Sequence, residues 1–296
     1  MSISTELQSL NNNILGAYTA IQGKEGTVPE NKNMENLPAA IESIPSGGGG
    51  GGIGIPREVN ANGVYGIPTQ SLSFSLPSNA TDVSEYALNN AFRSCKSLTS
   101  VDLSSLTKVS GQYAFSNAFY ECPNITSIDL SSLTNINYTN AFAYAFSGCT
   151  SITSVSFPSL STVDGSNAFT GVFNGCTKLT SVSLPVLHTA KGGYAIANAF
   201  NSCPSLTSMS FPVLAVADGN KLFNHTFASC KNLTSVSFPA LTASSFGSRT
   251  NQFENMLYAC SNVTVHFPAA IQSVIGSWSD VTKGFGGTNT TVLFDL

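Results

Sequence analysis

Seven cysteines punctuate this chain, at Cys95, Cys122, Cys149, Cys176, Cys203, Cys230 and Cys260. A thiolate is a nucleophile and a metal ligand, and two thiols can form a disulfide. Zinc needs four converging ligands, commonly supplied by paired cysteines or histidines a few residues apart. Here no two cysteines are closer than 27 residues, and His188, His225 and His266 show no ligand spacing. No metal and no cofactor are expected. An odd number of cysteines without a close pair also makes a poor disulfide framework. The reading left open beside it is some pairing in an oxidising setting. A buried free cysteine behaves as a small hydrophobe, and that is the role the surrounding residues assign.

Two carboxylates are the other candidates for chemistry. Asp102 and Asp129 stand 27 residues apart at equivalent places. Carboxylate pairs at a suitable separation hydrolyse glycosides. Equivalent acids in neighbouring copies of one repeat are more often just solvated, and no enzyme is expected. Sequons such as Asn124-Ile-Thr and Asn232-Leu-Thr arise inside the repeat by composition.

The elements that must position these residues are repeats. The first five cysteine intervals are 27 residues and the last is 30. Phe92, Phe119, Phe146, Phe173, Phe200 and Phe227 each precede a cysteine by three residues, and Leu257 takes that place before Cys260. In YAFSNAFYEC (113–122), Phe115, Phe119 and Cys122 fall at i, i+4 and i+7, which predicts one face of a short helix. After each of the first six cysteines comes Leu or Ile and then Thr-Ser, with alternating apolar residues such as Val155 and Phe157. That alternation predicts a strand, closed by Pro158, Pro185, Pro212 or Pro239. One unit cannot bury its apolar edge, but stacked units form a continuous core. The expected fold is an α/β solenoid: parallel strands with one short helix per 27-residue repeat, preceded by a small helical N-terminal module.

The phrase AFxxCxxLTSVxFPxL resembles the BspA-type leucine-rich repeat. The resemblance spans about residues 70–268 and implies the solenoid fold and roles in adhesion and recognition. The 27-residue period is longer than that family's usual unit, which implies a larger return loop.

The expected organisation runs from a helical attachment module (1–46) through a polyglycine linker (47–52) and an N-terminal cap (53–70) to the solenoid (71–268) and a C-terminal cap (269–296). In the first module Leu7, Leu10, Ile14 and Ile21 follow a heptad-like spacing that suits an oligomeric helix, with a trimer favoured. A helix packed on its own neighbour is the alternative. The stretch LGAYTAIQGKEGTVPENKNMENLPAAIESI resembles a short segment found in many bacteriophage tail and tail-fibre proteins. That resemblance implies attachment to other virion tail proteins. In the C-terminal cap, Ile271, Val274, Ile275 and Trp278 share a helical face, and TVLFDL reads as a last strand.

Composition narrows the function. Net charge is −4 and only 9% of residues are charged, so phosphate-led binding of nucleic acid is not expected. No apolar run reaches membrane-spanning length, and the N-terminus lacks the basic and apolar regions of a secretory signal. Synthesis in a bacterial cytoplasm and a place in a virion tail are expected, with a bacterial cell surface as the alternative. The segments that differ between copies are the expected return loops, 107–113, 134–140, 161–167, 188–194, 215–221 and 242–249. Rigid supports with variable loops suit recognition. Tyr113, Tyr138, Asp164, Lys191, Tyr194 and Asp218 are the candidate contacts to a bacterial surface glycan or protein. Loops that vary because nothing constrains them are the alternative. The inward set is Cys95 to Cys230 with Phe119, Phe146 and Phe173.

Overall fold

The computed structural model describes residues 72–296 apart from 77, 79, 97 and 248–250. The attachment module, the linker, the N-terminal cap and the heptad residues Leu7, Leu10, Ile14 and Ile21 lie outside the described residues. The chain winds as a solenoid, and each coil contributes to three walls.

The first wall is the predicted strand. Numbered in chain order, it holds β1 (Leu72–Ser75), β3 (Leu98–Asp102), β5 (Ser127–Asp129), β7 (Ser154–Ser156), β9 (Ser181–Ser183), β11 (Ser208–Ser210), β13 (Ser235–Ser237), β14 (Thr264–Phe267) and β15 (Thr291–Phe294). Every pairing is parallel, with Val155 opposite Val182 and Val236 opposite Val265. The ladder is interrupted between β5 and β7 and between β9 and β11. Period-two alternation explains the wall: Val155 and Phe157 are buried while Ser154 and Ser156 are exposed.

The second wall replaces the expected return loops. β2 (Asp82–Val83), β4 (Lys108–Val109), β6 (Asn135–Ile136), β8 (Thr162–Val163), β10 (Thr189–Lys191) and β12 (Val216–Asp218) form a continuous six-stranded parallel sheet. From β4 to β12 each strand buries one residue, Val109, Ile136, Val163, Ala190 and Ala217, while β2 buries both Asp82 and Val83. In the next coil a 3-10 turn, Ala243–Phe246, stands beside β12.

The third wall corrects the predicted helix. The segment 113–122 is a ribbon of consecutive turns. Alternate amides bond within it: Ser116 N–H to the Tyr113 carbonyl (3.1 Å), Ala118 to Phe115 (3.0 Å) and Tyr120 to Asn117 (3.2 Å). The others bond to the next coil: Phe115 N–H to Ala141 (2.7 Å), Asn117 to Ala143 (2.9 Å) and Phe119 to Ala145 (2.8 Å). Every fourth residue sits at positive φ, as at Tyr113 (56°), Asn117 (54°) and Glu121 (55°). A type II turn requires that conformation at its third position, which is where Asn117 and Glu121 stand.

The physical reason is the step between coils. Paired strands lie about 4.8 Å apart, whereas an α-helix with its side chains is about 10–12 Å across. A helix per coil cannot stack at the pace of two parallel sheets. The ribbon can, because half its amides point along the stack. Its true period is four: Ala114-Phe115, Ala118-Phe119 and then Cys122 are all buried.

The core runs the length of the stack. Phe92, Phe119, Phe146, Phe173, Phe200 and Phe227 form one column with neighbouring ring centroids 5.1–6.1 Å apart and nearly parallel planes. Close coil approach explains the glycines after the second wall: a Cβ on Gly219 would overlap the Gly192 carbonyl oxygen. The C-terminal cap comprises a 3-10 turn (Ala269–Ile271), α1 (Gln272–Ile275) and α2 (Ser279–Thr282), and Ile271 and Ile275 are buried beneath it. The expected last strand is β15, parallel to β14. Among the described residues no helix is long and apolar enough to cross a membrane.

Two outcomes test this packing. Phe146→Ala, which empties one rung of the column, is expected to cost about 3–5 kcal/mol in denaturant unfolding. Gly219→Ala is expected to lower the urea midpoint, whereas a loop glycine at an open position would leave it unchanged.

Candidate functional site

The cysteines are closed to chemistry. All seven are free and buried. Each from Cys122 onward points its thiol at the carbonyl of the phenylalanine one coil back: Cys122 Sγ to Phe92 O at 2.9 Å, Cys149 to Phe119 at 3.1 Å, Cys176 to Phe146 at 3.3 Å and Cys260 to Phe227 at 3.0 Å. Burial pushes the Cys149 and Cys203 thiols up to about 12, and those of Cys122, Cys176 and Cys230 also well up. The thiol is thus a donor holding successive coils together, not a nucleophile.

The paired acids are brought into register, Asp102 opposite Asp129, both exposed on the first wall. Each carboxylate accepts the amide two residues on, from Ser104 and Ser131, at 2.9 Å. The bonds from Ser104, with a smaller one from Ser75, hold the Asp102 carboxyl below its ordinary value. Asp129 borders a shallow depression of about 400 Å³ over the interrupted seam between β5 and β7, lined by serines such as Ser127, Ser154 and Ser156. Among the described residues no three His, Cys, Asp or Glu side chains gather as a metal site requires.

The six candidate contacts are not brought to one place. Asp164, Lys191 and Asp218 form a column along the second wall: Lys191 lies opposite Asp218, and Asp164 follows β8 one coil earlier. Tyr138 is 43% exposed at the corner after β6. Tyr113 and Tyr194 belong to the ribbon. Tyr113 stacks on Tyr86, centroids 5.1 Å apart and planes 3° apart. The Tyr194 carbonyl accepts the Thr170 hydroxyl at 2.5 Å. Beside it Lys221 pairs with Glu254 at 3.0 Å, and that carboxylate's hydrogen bond and charge raise the Lys221 pKa.

The sequence reading passed over the ribbon's other tyrosines, Tyr86, Tyr120, Tyr144 and Tyr258. Tyr120 carries the Arg93 guanidinium 4.5 Å from its centroid. Tyr144 spans to the next coil, where its ring fills the space a Cβ on Gly171 would need. Tyr258 is 56% exposed near His225. The signal that finds them is the four-residue period, whose outward places carry Tyr, Asn and Gly. Tyr86, Tyr113, Tyr144 and Tyr194 have φ of 57°, 56°, 56° and 58°. That left-handed conformation costs a Cβ-bearing residue roughly 1–2 kcal/mol. Asn117, Asn167 and Gly171 hold equivalent places more cheaply.

These walls define a leucine-rich-repeat solenoid of parallel strands. The chain matches the BspA type Leucine rich repeat region in six copies, over residues 68–172 and 170–277, and it belongs to that family. No curated protein matches it. Among solved structures it is similar to the crystal structure of a T. pallidum Leucine Rich Repeat protein, at 19% identity over 75% of this chain and 88% of that one, with a TM-score of 0.32. At that score the likeness bears on no residue or function of this chain.

Sealed thiols have a direct consequence. A thiol reagent is expected to leave the native protein unmodified, and to label seven cysteines in denaturant. Cys149 and Cys203 are expected to gain no reactivity between about pH 7 and pH 9, where an ordinary thiol of pKa about 8.5 ionises. Stoichiometric labelling of the native fold would contradict the packing.

Proposed function

We propose that this is a non-enzymatic recognition protein of a bacteriophage or prophage tail, whose solenoid binds a receptor on a bacterial surface. The observation that carries the reading is the division between inward and outward columns. Cysteine, phenylalanine and leucine recur inward from coil to coil, while one outward ribbon column reads Asn90, Asn117, Tyr144, Gly171, Asn198 and His225. A fixed scaffold with variable outward residues suits binding. The resemblance of residues 15–44 to tail modules supports attachment to other virion proteins, and the heptad-like spacing before and within it supports a homo-oligomer, with a trimer favoured.

A cell-surface adhesin is the second reading, and membership of the BspA-type repeat family favours it. Tail genes beside the coding sequence would separate the two. The full-length protein is expected to bind susceptible bacteria saturably and to block phage adsorption in competition. Absence of binding to any of a broad panel of cells would overturn recognition. Binding without competition would shift the reading to the adhesin.

A further inference from the structure

We propose that the turn ribbon is the binding face, and that it takes a glycan with Tyr144 as its central stacking platform. This rests on the recognition reading above and gives it a wall and a ligand class.

The first observation is segregation. All seven described tyrosines lie on the ribbon or at its entrance, and none lies on either sheet wall. The strand wall offers serine and threonine in a uniform pattern, which discriminates little along its length. The ribbon offers Tyr, Asn, Ser and Gly, the composition of antibody combining loops. There tyrosine supplies rigid amphipathic area, and the small polar residues supply adaptable hydrogen bonds.

The second observation is conformational. Four ribbon tyrosines are held in the left-handed region, where other coils carry asparagine, glycine, Lys221 or His225. The fold does not need a ring there: Asn117 and Gly171 flank Tyr144 in the same column, and Asn198 follows Gly171. Backbone strain kept at an outward position points to function.

The third observation selects the ligand. Tyr144 lies half-buried across Gly171, so its ring lies along the wall. A sugar presents an apolar face of C–H groups bordered by hydroxyls. Asn117, one coil before Tyr144 in its column, and Asn174, three residues after Gly171, are partly exposed and offer amides that donate and accept, as hydroxyls do. A protein partner also uses tyrosine anchors, but in well-packed pockets that exclude water. No exposed Leu, Ile, Val, Met or Phe stands out on the described ribbon, where Tyr258 is the one large apolar side chain that is mostly exposed.

The test is Tyr144→Asn in the full-length chain, measured on bacteria that the unaltered protein binds and on polysaccharide isolated from them. Asparagine suits the left-handed backbone, so the melting temperature is expected to hold or rise. Affinity is expected to fall about tenfold or more. Tyr144→Phe is expected to stay within about threefold. Periodate treatment of the cells, which cleaves sugar diols, is expected to abolish binding, and protease treatment to spare it. If Tyr144→Asn binds as well as the unaltered chain, or if protease rather than periodate removes binding, the inference falls while recognition stands. If the unaltered protein binds no cells, both fall.

Discussion

One distance governs this molecule: the step of about 4.8 Å between hydrogen-bonded parallel strands. Every coil must advance by it on all three walls, and buried amides and carbonyls must find partners at that spacing. The sheets meet the demand directly. The ribbon meets it by sending alternate amides to the next coil and closing the others in turns. Side chains follow the same rule. Thr126, Thr180 and Thr234 send their hydroxyls to the carbonyl of the threonine one coil back, at 2.9–3.2 Å. The cysteine thiols do likewise across the ribbon, and the glycines after the second wall leave room for the neighbouring backbone.

That constraint explains what was legible in the sequence. The strand wall was plain, because Val155 and Phe157 alternate with serines and the pattern recurs. The inward set recurs from coil to coil as well: Cys149, Phe119, Phe146 and Phe173 are buried, and Phe92 in the first coil is partly so. The ribbon was misread because i, i+4 and i+7 satisfies both a 3.6-residue and a four-residue period over so short a segment. Ala114 and Ala118, in step with Phe115 and Phe119, are what separate the two. The second sheet was misread as loop because its strands are two or three residues long. A single inward residue has no period. Only comparing Val109, Ile136, Val163, Ala190 and Ala217 down the stack reveals a wall.

The candidate contacts divide for the same reason. Tyr113 and Tyr194 were found by residue type, yet their neighbours were assigned to a helix and so passed over. Asp164, Lys191 and Asp218 were grouped with them by sequence proximity, although the second sheet carries them on a different wall. Sequence distance within a coil is a poor guide here, because residues 27 apart are neighbours while residues four apart can face different walls.

The same arithmetic separates what this chain can vary from what it cannot. An inward residue touches the coils on both sides, so changing Phe173 disturbs Phe146 and Phe200 together. An outward ribbon residue meets fewer neighbours, and its main restriction is the left-handed backbone beneath it. Asparagine and glycine satisfy that restriction cheaply, and tyrosine does so at a cost. The mixture of all three in one column therefore marks where the repeat tolerates a loss of stability that its core does not. Such tolerance is ordinary at a surface, but it selects polar residues as readily as aromatic ones. The tyrosines recover part of that cost by packing along the stack, Tyr86 on Tyr113 and Tyr144 across Gly171.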